Sequence, residues 1–91
     1  MKVYFDNAAT TSIDNRVIES MTKVMRDNYA NPSSTHEGGR KSKTIIENAR
    51  KKIASMLNTS PGSIFFTSGG TEADNMAIRC GILDNNVSHA I

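Results

Sequence analysis

Residues 64–75 read I-F-F-T-S-G-G-T-E-A-D-N, and no other stretch limits the possible folds as sharply. Ile64, Phe65 and Phe66 form a short apolar run of the kind that enters a sheet as a buried strand. Ser68, Gly69 and Gly70 break the run, and Thr71-Glu72-Ala73-Asp74 has the composition of a first helical turn. A strand that passes through paired glycines into a helix leaves the first helical amides without intrachain acceptors, at the positive end of the helix dipole. A phosphate fits such a corner, and the Thr71 hydroxyl can serve a ligand oxygen as readily as its own helix. The same residues fit an ordinary strand-to-helix connection that binds nothing, with Thr71 and Asp74 as an imperfect capping box. No G-K-[ST] follows the glycines and no G-x-G-x-x-G is present, so Walker A and the dinucleotide fingerprint are excluded while both plainer readings stay open.

The rest of the chain supplies the context of that turn. Val3-Tyr4-Phe5 is a short, extended apolar run, and Asp6-Asn7-Ala8-Ala9-Thr10-Thr11 is either a turn or an arm lying across a site. Asp14 caps a first helix, in which Val17, Ile18, Met21, Val24 and Met25 repeat at helical spacing. That stripe is expected to be core, Met21 and Met25 included. The helix ends across Asn28–Ser34, where Asn31 precedes a proline. A second helix is predicted to begin between Thr35 and Lys41 and run to Leu57, burying Ile45, Ala49, Ile53, Met56 and Leu57. Asn58-Thr59-Ser60-Pro61-Gly62 is a turn cluster. A third helix follows the glycines, with Ala73, Met76, Ala77, Cys80 and Leu83 on one stripe, and Val87–Ile91 alternates like the opening of a second strand. Strand, helix and strand in that order suggest a βαβ unit with a right-handed crossover and parallel pairing.

Composition narrows the function classes. Ninety-one residues are enough for one small domain or a piece of a larger one, and a 37% hydrophobic share without tryptophan is lean for a self-sufficient core. Net charge is only +2, and the run of Arg40, Lys41, Lys43, Arg50, Lys51 and Lys52 reads as a solvated helix face, so nucleic acid is not an expected partner. The single cysteine excludes an internal disulfide and suggests a reducing compartment. No stretch is long and apolar enough to cross a membrane and the N-terminus lacks a secretory signal, so the expected location is cytoplasmic. No C-x-x-C or H-x-x-x-H exists to suggest zinc, and Ser33, Ser34 and His36 lie too close together for a triad. His36 reads as a loop or cap residue. Cys80 sits on an apolar stripe, where a cysteine behaves as a small hydrophobe rather than an exposed, activated thiolate.

Several of these segments together resemble the cysteine desulfurases, class V aminotransferases of the fold-type I group that use pyridoxal 5'-phosphate (PLP). The resemblance rests on Tyr4–Thr11, Asn31–His36, Gly39, Ile46-Glu47-Asn48-Ala49-Arg50 and Ile64–Asn75, in that order and spacing. It implies an α/β fold, a partial three-layer αβα large domain built on a mainly parallel sheet. Residues 1–13 would form an N-terminal arm, and residues 14–91 an incomplete N-terminal part of that large domain.

The resemblance also assigns roles. Gly70 and Thr71 would bind the PLP phosphate, and Asn7 would lie near cofactor and substrate. Asn31–His36 would form a loop near the dimer-related active site. The substrate would be L-cysteine, converted to L-alanine as its sulfur leaves as an enzyme persulfide for sulfur metabolism such as iron–sulfur cluster assembly. A homodimer and a sulfur-acceptor protein would be the partners. The family's cofactor-bearing lysine, ring-stacking histidine, ring-nitrogen aspartate and mobile-loop cysteine match nothing in this sequence. No catalytic residue is therefore assigned here, and the 91-residue chain alone is expected to be inactive. His89 reads as a strand residue. The alternatives are a related lyase or aminotransferase such as selenocysteine lyase, or a non-catalytic truncated chain that self-associates or complements another polypeptide.

Overall fold

The computed structural model describes residues 1–84, which form three α-helices in the order α1 (Asn15–Asp27), α2 (Glu37–Met56) and α3 (Gly70–Asp84), with one 3₁₀ turn at Pro61–Ser63. The strand expected over Val87–Ile91, and His89 with it, lie outside the described residues. The chain divides into two units, one from Met1 to Ala49 and one beginning at Arg50.

In the first unit, Asp14 is the N-cap of α1: its carboxylate accepts the Arg16 amide at 2.8 Å and also the Arg16 guanidinium. Those bonds, the guanidinium's first, hold the Asp14 carboxyl below its usual range. The helix stops at Asn28, whose amide still reaches the Val24 carbonyl. The orphaned carbonyl of Asn28 accepts the hydroxyl of Ser42, a buried polar residue of α2, at 3.1 Å. His36 caps α2, its carbonyl accepting from Arg40 and its Nδ1 accepting the Gly39 amide at 3.3 Å. Between the helices, Asn31 closes a tight turn, its side chain accepting the Ser33 amide and its carbonyl the Ser34 amide. That turn lies so close to α2 that a Cβ on Gly39 would stand 2.3 Å from the Ser34 carbonyl oxygen.

In the second unit α2 ends in a Schellman motif. Asn58 takes a left-handed φ of 52°, its amide bonds the Ser55 carbonyl, and the Thr59 amide reaches back to Ala54. Asparagine substitutes for glycine there because its short polar side chain tolerates that region.

Three expectations are corrected. The strand at Ile64–Phe66 is absent: Ile64 has extended backbone (φ −104°, ψ 120°), but no strand pairing forms among the described residues. An isolated extended segment has no ladder to join, and Phe65 and Phe66 are exposed rather than buried. Among the described residues the elements are helices and loops alone, without the strands of the expected α/β architecture. Nor is the α1 stripe core: Met21 and Met25 are 51% and 70% exposed, because no described element covers them. The expected buried face of α2 is open too, with Ala49, Ile53, Met56 and Leu57 all exposed. The one buried hydrophobic side chain among the described residues is Ala54, where the chain doubles back after α2.

Candidate functional site

The glycine turn and the start of α3 form the candidate site. Gly69 acts as the N-cap, its carbonyl accepting the Ala73 amide at 3.1 Å. The amides of Gly69, Gly70, Thr71 and Glu72 find no acceptor among the described residues. Helix geometry requires this for the first turn, and no side chain has moved in to close it. A Cβ built on Gly69 or Gly70 would meet no atom within 4 Å, so the corner is open as well as unpaired. The Thr71 hydroxyl is exposed and holds no partner among the described residues, while the Thr71 carbonyl is occupied by the Asn75 side chain at 2.8 Å.

Two residues shape the rim. Glu72 reaches back from the first turn and accepts both the amide and the hydroxyl of Ser68. The Ser68 hydroxyl, then its amide, hold the Glu72 carboxyl below its usual range. Thr67 donates its hydroxyl to the Gly69 carbonyl at 3.1 Å. Thr71 and Asp74 make no capping box; instead Glu72 accepts from both the amide and the hydroxyl of Ser68. The signal for it was a glutamate four residues after a serine, spanning the glycines.

The approach to the turn is held from α2. Arg50 donates to the Ile64 carbonyl, and its guanidinium lies over the Phe66 ring, 4.8 Å from the centroid. Arg50, expected on a solvated face, is half-buried. Beside this segment a groove of about 530 Å³ is lined by Ser63, Phe65, Thr67, Ala73, Met76, Ala77 and Cys80. Cys80 thus shares the expected stripe with Ala73 and Met76, but its thiol is exposed, not packed away.

Gly70 and Thr71 stand together at this corner, in the unit that begins at Arg50. Asn7 belongs to the other unit, exposed on a turn closed by the Ala9 and Thr10 amides on the Asp6 carbonyl. Among the described residues no group of His, Cys, Asp or Glu could hold a metal ion. No described helix is long and apolar enough to cross a membrane.

Free amides, a free hydroxyl and a helix N-terminus suit an anion with several acceptor oxygens, and a phosphate ester meets that description. Residues 3–86 match the family described as aminotransferase class-V. The chain belongs to the class V aminotransferases. All the segments that carried the resemblance lie inside the matched range. This class V chain is 45% identical over 89 residues to a selenocysteine lyase from Bos taurus, covering 98% of the chain and 20% of the relative. It is 51% identical over 77 residues to a cysteine desulfurase IscS from Methanosarcina thermophila, covering 85% and 19%. A cysteine desulfurase IscS from Dictyoglomus turgidum is 47% identical over 78 residues, covering 86% and 20%. The chain spans about a fifth of the length of these relatives.

Proposed function

We infer that this chain is the N-terminal portion of a PLP-dependent cysteine desulfurase and that it supplies the cofactor's phosphate site. The observation that carries the reading is the open corner of Gly69, Gly70, Thr71 and Glu72, whose amides find no acceptor among the described residues. Membership of the class V family supports it. Relatives named cysteine desulfurase cover most of the chain. The full fold would be the three-layer αβα large domain of fold-type I enzymes, with residues 1–13 as an arm and residues 14–91 as the first part of that domain. Ile64–Phe66 would join its sheet.

The residues here bind and orient. The Gly70 and Thr71 amides and the Thr71 hydroxyl donate to phosphate oxygens, and the α3 dipole adds favourable potential. No lysine or arginine is needed at the corner, because dipoles and hydroxyls compensate the charge. Glu72 keeps the turn in shape by engaging Ser68. Bound PLP supplies an electron sink that lets the bonds at the substrate's α- and β-carbons break. The chain's part in the reaction is to fix the cofactor's phosphate end, so that the reacting carbon is presented in one geometry. Asn7 contacts substrate or cofactor from the arm. L-cysteine is the substrate, and alanine and a persulfide on a cysteine thiol are the products. The enzyme works as a cytoplasmic homodimer and passes sulfur to an acceptor protein.

A second reading, selenocysteine lyase, is favoured by the bovine relative, which matches nearly the whole chain. Both readings use the same phosphate corner. Presenting the complete protein with L-cysteine and L-selenocysteine in parallel, with alanine as the common readout, separates them. Turnover of cysteine supports the desulfurase; turnover of selenocysteine alone rejects it.

A further inference from the structure

Arg50 has an unusual position for a member of a basic run. Its neighbours Lys51 and Lys52 are exposed, as are Arg40, Lys41 and Lys43. Arg50 is half-buried and makes two kinds of contact with one short segment, fourteen and sixteen residues further on. One guanidinium nitrogen donates to the Ile64 carbonyl, and the guanidinium carbon lies over the Phe66 ring, 4.8 Å from its centroid. A planar cation that donates to a carbonyl and lies over a neighbouring ring holds one segment at two points. The segment it touches has no strand partner among the described residues. It leads through Thr67, whose hydroxyl closes onto Gly69, directly into the open amides.

We propose that Arg50 is a positioning residue for the phosphate corner, acting through the Ile64 carbonyl and the Phe66 ring to set the line on which the chain enters the Ser68–Thr71 turn. The inference rests on the phosphate reading given above. The contacts of Arg50 to the Ile64 carbonyl and the Phe66 ring fall on the segment before the corner. It anchors the segment before the turn to α2, and the turn inherits that anchorage because only Thr67 and Ser68 lie between Phe66 and Gly69. Displacing that segment moves several amides at once relative to a rigid anion, whereas it leaves α3 intact. The consequence is selective: the phosphate end of the cofactor loses its fit, and contacts to the rest of the cofactor do not.

The test uses the complete protein that carries this segment, and compares Arg50→Ala, Arg50→Lys and Phe66→Leu with the parent. Affinities for PLP and for pyridoxal, which lacks the phosphate, are read by absorbance titration of the apoprotein. Arg50→Ala is expected to weaken PLP binding on the order of tenfold, about the effect of one lost hydrogen bond to a charged group. Pyridoxal affinity stays unchanged. Arg50→Lys recovers only part of the loss, since an ammonium cannot donate and stack together. If Arg50→Ala does not fold, Phe66→Leu carries the decision, because it removes the ring and leaves α2 untouched. Unchanged PLP affinity in the folded variant, or an equal loss of PLP and pyridoxal binding, overturns the proposal. Thr71→Ala in the same series keeps the two readings apart. If Thr71→Ala weakens PLP binding and Arg50→Ala does not, the positioning role alone fails. If Thr71→Ala has no effect, the phosphate site itself fails.

Discussion

Glu72 accepts two hydrogen bonds from Ser68, one from the amide at 2.8 Å and one from the hydroxyl at 2.5 Å. The pair ties the first turn of α3 to the residue before the paired glycines. The turn is thus braced while the amides of Gly69–Glu72 find no acceptor among the described residues. Bracing and opening are linked: an acid at this position would otherwise be free to fold over the helix N-terminus and neutralise it.

Replacing Glu72 with alanine should therefore lower the thermal midpoint of the complete protein in a pH-dependent way. The folded-state pKa of Glu72 is depressed below its ordinary value of 4.5, by the Ser68 hydroxyl first and the amide second. Its contribution is present above that ordinary value and is lost as pH falls through the depressed one. The gap between parent and Glu72→Ala is expected to be widest near neutrality and to close as pH falls below 4.5 and through the depressed value. Midpoints recorded from pH 7 to pH 3 check this.

Gly39 is held to its identity by space rather than by φ. A Cβ there would meet the carbonyl oxygens of Ser34 at 2.3 Å and Asn31 at 2.8 Å, both backbone atoms that cannot rotate away. Gly39→Ala is expected to cost about 1–3 kcal/mol, the usual penalty of overpacking. Gly62→Ala, whose nearest neighbour would be the Ser60 hydroxyl at 3.9 Å, should change stability by less than about 0.5 kcal/mol. Denaturant titration of the two variants provides the comparison.

Asn58 occupies the left-handed position of the Schellman motif that ends α2. A β-branched residue is strained there, so Asn58→Val should lose about 1–2 kcal/mol. Asn58→Gly should keep the motif. Circular dichroism melts of both variants would show the difference as a lowered midpoint for valine only.

The α1 stripe leaves large apolar side chains in solvent, Met25 at 70% exposure among them. Prepared on its own, the 91-residue chain should sediment as a species heavier than its 9.9 kDa. Substituting Met21 and Met25 together with glutamine should bring the apparent mass down toward the monomer. Analytical ultracentrifugation of the two forms is the measurement.

Helix limits were legible because their signals are local. Asp14, His36 and the Asn58–Gly62 cluster each act within a few residues, and each acts as its chemistry suggests. The paired glycines likewise marked the turn, and they lie where α3 begins. What failed depended on distant parts of the chain. Ile64–Phe66 has the composition of a strand and Ile64 has extended backbone, but pairing needs a neighbouring strand, and none forms among the described residues. Periodicity identified the apolar side of α1 without saying what covers it, so Met21 and Met25 read as core and stand exposed. Cys80 was placed on the right stripe and given the wrong exposure for the same reason. Arg50 was hidden among lysines because its partners lie fourteen and sixteen residues away, outside any helical repeat. Ser42 was missed as well. Its spacing from Gly38 and Gly39 marks a face of small residues on α2, and its hydroxyl takes the last free carbonyl at the end of α1.

The account stands on the open corner at Gly70 and Thr71, and one comparison tests it most directly. In the complete protein, affinities of Thr71→Ala and Gly70→Val for PLP and for pyridoxal are measured against the parent. Gly70→Val is informative because its Cβ would meet no atom within 4 Å, so the fold accepts it while the added methyl groups occupy the corner. Both variants should weaken PLP binding by about 10-fold or more, the effect of a charge-assisted hydrogen bond lost or blocked, and leave pyridoxal binding as it was. PLP affinity equal to the parent's in both variants would contradict a phosphate site at the start of α3.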